Sequence, residues 1–166
     1  MATLGSFALL LALAVSLYAA VISWVGGRKG RPELVASARN AIFAVLGLAS
    51  IATFVLLYAF LTHDFSLTYV ALYSSRDMSP TYVIAAFWAG SEGYLLLWAR
   101  YLALFAGILA YQNRKLTNPL IPYVYAVVMT VEAFFFLLMG FITNPFESVP
   151  IPPPDGRGLN PLLENM

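Results

Sequence analysis

Four ionisable side chains, His63, Glu92, Arg100 and Glu132, stand inside or at the edge of otherwise apolar runs. An ionised group at the centre of a span costs about 2.5 to 3.5 kcal/mol on insertion scales, so each is a candidate for ion pairing, proton handling or cofactor contact. Glu92 sits in Trp88-Ala-Gly-Ser-Glu-Gly-Tyr-Leu-Leu-Leu-Trp98, which gathers a carboxylate, Gly90, Ser91, Gly93 and two tryptophans. A planar apolar ligand would stack on Trp88 and Trp98, although the aromatic belt of a membrane interface accounts for both without one. Arg100 lies eight residues after Glu92, about 12 Å along a regular helix and out of pairing range. Glu132, on an antiparallel span, is the better partner. The expectation is a structural ion pair between Arg100 and Glu132, with a proton or cofactor role as the alternative. His63, beside Asp64, is the one imidazole able to ligate a metal; a lone histidine at a helix end is more simply a hydrated interface residue.

Other chemistry is excluded by composition. There is no cysteine, hence no disulfide, thiolate metal site or cysteine nucleophile. No phosphate-cradling loop, paired-histidine metal motif or Ser-His-Asp set is present, so a self-contained enzyme is not expected and no catalytic residue is assigned. The basic residues lie in short membrane-flanking loops and give no footprint for nucleic acid.

The elements that must position these groups are membrane spans. The 166 residues are 61% apolar and 10% charged, against roughly 25% charged residues in soluble domains, and the mean hydropathy is +0.80. Apolar runs over 4–25, 41–62 and 120–142 are each long enough to cross a ~30 Å hydrocarbon core. A fourth, 81–111, overreaches a bilayer as one straight helix and is expected to break at Gly90-Ser91-Glu92-Gly93. Ser91 would cap the new helix, with Glu92 in its first turn. The crossing part is then 93–111, and 80–89, with Tyr82, Phe87 and Trp88, lies along the interface. Small residues such as Gly47, Ala49 and Ser50 would permit close helix packing.

This is an all-α reading: a polytopic membrane bundle of four transmembrane helices over 1–143, followed by an irregular Pro/Gly-rich tail over 144–166. Polyproline II and turns are expected in the tail. Its last apolar residues, Leu159 to Met166, would need a neighbour to bury against, as though leading into another segment or a partner chain. Arg28, Lys29, Arg31 and Arg39 in the first loop, with Arg114 and Lys115 in the third, are six of the nine basic residues. The positive-inside rule puts those loops in the cytoplasm and both termini on the other side. The first run has no basic residue before it and is expected to remain as a span rather than be cleaved as a signal peptide.

Tyr58-Ala-Phe-Leu-Thr-His-Asp-Phe-Ser66, Tyr69-Val-Ala71, Ser79-Pro-Thr-Tyr82, Trp88 to Trp98, Asn144-Pro-Phe146 and Gly158-Leu-Asn-Pro-Leu-Leu163 occur in this order. Together they resemble the N-terminal part of the CcmF family of cytochrome c-type biogenesis proteins, whose relative NrfE has a similar pattern. The resemblance implies a multi-span protein of a bacterial-type plasma membrane that holds haem on the outer side and helps attach it to CxxCH motifs of apocytochrome c. In that family the central stretch usually reads Trp-Gly-x-His-Glu-Gly-Ser-Leu-Leu-Leu-Trp. Trp88, Glu92, Gly93, Leu95 to Leu97 and Trp98 match it, while Ala89, Ser91 and Tyr94 depart.

Ser91 in place of a histidine removes any role that needs an imidazole there. The family's haem-ligating histidines lie downstream of the part matching Leu159 to Leu163, so the axial ligands are expected on a partner chain or a further segment. The implied role is an N-terminal subunit or fragment of a haem lyase, with Trp88, Gly90, Ser91, Glu92, Gly93 and Trp98 bordering haem or apocytochrome. Its partners would be the remaining family segment and other cytochrome c maturation proteins. A small transporter or channel subunit lined by Glu92, Arg100 and Glu132, or a purely structural subunit, are the alternatives.

Overall fold

The computed structural model describes residues 1–115 and 118–158; the final stretch 159–166, for which a burial partner is expected, lies outside them. Among the described residues four helices are long and apolar enough to cross a membrane: α1 (Ala2–Lys29), α2 (Pro32–Leu61), α5 (Ser91–Gln112) and α6 (Ile121–Phe141). Two short helices, α3 (Thr68–Tyr73) and α4 (Pro80–Ala86), lie between α2 and α5. This is the expected four-span bundle of an integral membrane protein. Helix α1 is wedged between α2 and α6, and α5 closes the bundle against α2 and α6.

Without a hydrophobic driving force between helices in lipid, close van der Waals packing must hold them together, and small side chains permit it. Ala12, Ala19, Ala52, Ala59, Ala99 and Ala103 are all fully buried along the seams. Gly26 lies against Leu34 and Val35 of α2. Gly47 does not share this role: nothing lies within 4 Å of where its Cβ would stand. It sits on the exposed face of α2, on the other side of the helix from the buried Val45 and Ala49.

The basic end differs from the expected loop. Helix α1 continues through Arg28 and Lys29, and α2 starts at Pro32, so only Gly30 and Arg31 connect them. Gly30 terminates α1 in the left-handed region at φ 60°, where glycine carries no Cβ penalty. Pro32 then restarts the chain with a φ already suited to a first helical position. At the same end the Arg39 guanidinium donates to the Arg114 carbonyl at 2.8 Å, tying α2 to the α5–α6 loop.

The opposite end is capped by residues 62–90 and by the tail. Irregular as expected, the described part of the tail, 144–158, is nevertheless docked. Phe146 is buried and seats its ring on Gly5, where no Cβ would fit. The Thr68 amide then donates to the Glu147 carbonyl at 2.8 Å and the Val149 amide to Ser66 at 2.8 Å. Further on, Arg157 and Gly158 amides donate to the Ala71 and Ser74 carbonyls at 2.8 and 3.2 Å, and the Asp155 carboxylate accepts the Arg76 amide at 3.0 Å. The prolines cannot donate to such a ladder, and the bonds fall on the residues between and after them.

Truncating Phe146 to alanine removes the one large apolar anchor of this strap. The expected cost is about 3 to 5 kcal/mol, the range for a buried aromatic. In membranes, trypsin should cut after Arg157 much faster in Phe146→Ala than in the native chain; equal cleavage rates would show that the ladder alone holds the tail.

Candidate functional site

Between α4 and α5 the helix is interrupted over 87–90, and groups freed there at the membrane edge need partners. The Tyr69 hydroxyl provides them. It donates to the Phe87 carbonyl at 2.9 Å and accepts from the Gly90 amide at 3.0 Å. Tyr69 itself is buried, with its ring edge-on to Phe60 at 5.4 Å between centroids and tilted against Tyr73 at 5.0 Å. Burial pushes the Tyr69 phenol above its ordinary ionisation range, so the neutral hydroxyl needed to donate is the form favoured here.

The two glycines of the motif are close-approach positions. A Cβ on Gly90 would lie 2.7 Å from the Tyr69 ring and 2.8 Å from that of Tyr73, and one on Gly93 would collide with the Phe87 carbonyl. Gly90 is therefore the N-cap of α5, extended at φ −118° and ψ 168°. This corrects the expected Ser91 cap: Ser91 is already helical, and its hydroxyl reaches the Glu92 carboxylate at 3.2 Å. The cap position is pressed against two tyrosine rings and has no room for a side chain. Glu92 does fall in the first turn of α5 as expected, where its charge complements the helix dipole.

What the latch leaves outside is the aromatic part of the motif. Trp88 and Trp98 are 47% and 58% exposed, and with Tyr94, Leu97, Tyr101 and Phe105 they line a shallow groove of about 680 Å³ along α5. Tyr94, Trp98, Tyr101 and Phe105 follow helical spacing and share one face. Phe87, grouped with Trp88 in the expected interfacial segment, is buried within the protein, whereas Trp88 stays exposed.

Arg100 and Glu132 are not brought together. Arg100 lies over the exposed Phe54 ring of α2, 5.9 Å from its centroid. Glu132 is fully buried on α6, and neither carboxyl oxygen has a hydrogen-bond partner. The reason is packing: α6 lies chiefly along α1, whereas α5 presents the Arg100 side to α2. Glu92, Arg100 and Glu132 accordingly line no common path. His63 adopts a left-handed backbone at φ 50° and places Nδ1 3.2 Å from the buried Ser74 hydroxyl. Among the described residues no cluster of three or more His, Cys, Asp or Glu side chains accompanies it. The site residue that sequence reading missed is Tyr69; it stood in one of the stretches that carry the resemblance, but nothing there marked its hydroxyl as a partner of the backbone.

No protein-family model matches the chain. Curated proteins do. It is 40% identical over 161 residues to the cytochrome c-type biogenesis protein ccl1 of Rhodobacter capsulatus, covering 97% of this chain and 25% of that protein. It is 35% identical over 166 residues to CcmF of Haemophilus influenzae, covering 99% and 26%. To the probable cytochrome c-type biogenesis protein NrfE of Escherichia coli it is 35% identical over 143 residues, covering 86% and 26%. A solved structure of the cytochrome c haem lyase CcmF matches with a TM-score of 0.79 and 32% identity over 88% of this chain and 24% of that one. The chain thus spans about a quarter of the length of the relatives it matches.

Tyr69→Phe keeps the ring and removes the hydroxyl, leaving the Gly90 amide without its partner at an expected cost of about 1 to 3 kcal/mol. Because the folded phenol ionises later than the unfolded one, the latch contributes fully below about pH 10 and weakens as pH rises beyond it. Thermal unfolding in detergent should show that alkaline loss in the native chain and much less of it in Tyr69→Phe. A second pair separates close approach from ordinary helix glycine: Gly93→Ala should destabilise strongly, whereas Gly47→Ala should be neutral or gain about 0.5 to 1 kcal/mol. Equal effects would contradict the packing described for Gly93.

Proposed function

The chain belongs to the CcmF family of cytochrome c-type biogenesis proteins, and on that premise we propose that it forms the four-span membrane module of a cytochrome c haem lyase. Its share of covalent haem attachment to apocytochrome c is to build a rigid wall at the outer membrane edge, with Trp88, Glu92 and Trp98 bordering haem or the incoming apocytochrome. Similarity over nearly the whole chain to a haem lyase of solved structure carries this reading. The latch supports it: Tyr69, Gly90 and Gly93 are used up in packing, while Trp88, Trp98 and the partly exposed Glu92 remain free to meet a neighbour.

Haem is tested against the residues present. The groove on α5 offers apolar aromatic walls to a planar macrocycle, and no imidazole or thioether is among its lining residues. His63, the single histidine, is engaged by Ser74 through Nδ1. The described residues fit a wall and not a ligating site, so no haem chemistry is assigned to this chain. The axial ligands belong to the remaining family segment or to a partner chain. The partners are then that segment, other cytochrome c maturation proteins and apocytochrome c.

The sidedness follows from charge. Arg28, Lys29, Arg31, Arg39, Arg114 and Lys115 gather at one end of the bundle, and only Arg76 and Arg157 lie at the capped end. The basic end faces the cytoplasm of a bacterial-type plasma membrane by the positive-inside rule. The Tyr69 latch, the tail strap and the N-terminus face the extracytoplasmic side, where apocytochrome would be met.

Trp88→Ala and Glu92→Gln alter the free side chains without touching the latch. Each should lower the amount of c-type cytochrome carrying covalent haem, read by haem peroxidase staining of membranes, while immunoblots show the chain at its normal level. Unchanged staining in the double variant would remove the motif from the reaction.

A further inference from the structure

Arg100 is nine residues from Ser91 and twelve from Gln112, near the middle of a helix that is about 33 Å long. Its guanidinium offers five N–H donors in a fixed fork. Among the described residues it finds no acceptor. Nε is sealed and without a hydrogen-bond partner, and the group lies 5.9 Å from the Phe54 ring centroid. A ring face attracts the charge and leaves the donors unsatisfied.

The acids of the chain's spans are all unable to serve it. Glu92 is eight residues away along the same helix, Glu33 is in the first turn of α2 at the basic end, and Glu132 is sealed on α6 without any partner. A lipid phosphate at either surface is about 14 Å or more from the Arg100 backbone along the helix axis. A buried or lipid-facing cation at this depth calls for an anion at the same depth.

We propose that the seam between α2 and α5 around Phe54 and Arg100 is the docking surface for a further transmembrane helix that presents an Asp or Glu carboxylate to the Arg100 guanidinium. Charge complementarity selects the occupant: an apolar helix would leave the fork unpaired, and a bidentate carboxylate satisfies two of its donors at once. Phe54, which is 61% exposed, presents the ring beside the charge at the bundle surface. It excludes solvent and holds the fork toward the incoming helix. The family supplies room for such a helix, since the relatives are about four times as long as the stretch they share with this chain.

The test places a photoreactive residue at Ile51, exposed and one turn from Phe54 on α2, in the chain expressed in its native membranes. Mass spectrometry of the irradiated product should identify a transmembrane peptide with an Asp or Glu inside its span. Adduct yield should fall about tenfold in Arg100→Gln and persist in Arg100→Lys. Arg100→Glu combined with replacement of the identified acid by arginine should restore the adduct, which a variant that merely misfolds would not do. Adducts with phospholipid alone, a captured helix without an acid, an unchanged yield in Arg100→Gln, or no recovery in the swapped pair would each overturn the assignment.

Discussion

A helix interrupted in or beside hydrocarbon must find partners for the amides and carbonyls it frees, because lipid offers none. That constraint governs the capped end of this protein. The interruption between α4 and α5 exposes the Phe87 carbonyl and the Gly90 amide, and a single phenol from α3 answers both. From that one oxygen follow the burial of Tyr69 under Phe60, the exclusion of side chains at Gly90 and Gly93, and the direction in which α5 starts. The aromatic groove along α5 is aimed by the same contact, since its upper rings, Trp88 and Tyr94, flank the latched turn.

The charges in the spans are distributed by packing more than by mutual attraction. Pairing Arg100 with Glu132 would have required α5 and α6 to share their polar faces, but α6 presents Glu132 to the interior while Arg100 emerges against α2. Each is left with its own electrostatic problem. A sealed carboxyl with two unpartnered oxygens and a guanidinium over one ring are both expensive arrangements in a low-dielectric medium. Only the second opens toward the bundle surface, where a neighbouring helix can resolve it.

The four spans, the break in the long apolar stretch and the segregation of basic residues were all legible from hydropathy, glycine placement and charge, because each is set locally by the membrane. Boundaries shifted where charged residues continued a helix beyond the apolar run, as at Arg28 and Lys29. Less legible were features fixed by contacts distant in sequence. Nothing in the spacing of Tyr69 marks it as the partner of a backbone amide twenty-one residues on. Gly47 and Gly93 look alike as letters and differ completely in surroundings, open on one side and pressed on a carbonyl on the other. Ser91 has the composition of a cap and loses the position to Gly90 because two tyrosine rings occupy the space beside it. The docked tail was hidden for the same reason, as its prolines read as irregular whether or not they lie on a surface.

The seat of Phe146 on Gly5 joins residues 141 positions apart, and the Asn144 amide reaches toward the Ser6 hydroxyl beside it at 3.4 Å. During synthesis, therefore, the first helix enters the bilayer with its outer end bare and waits until α6 has been threaded through before it is covered. The loop that closes runs over 141 positions, so this clasp carries a large closure entropy. Before that moment the notch at Gly5 stands open at the membrane edge, because the ring that fills it lies beyond α6 in the chain.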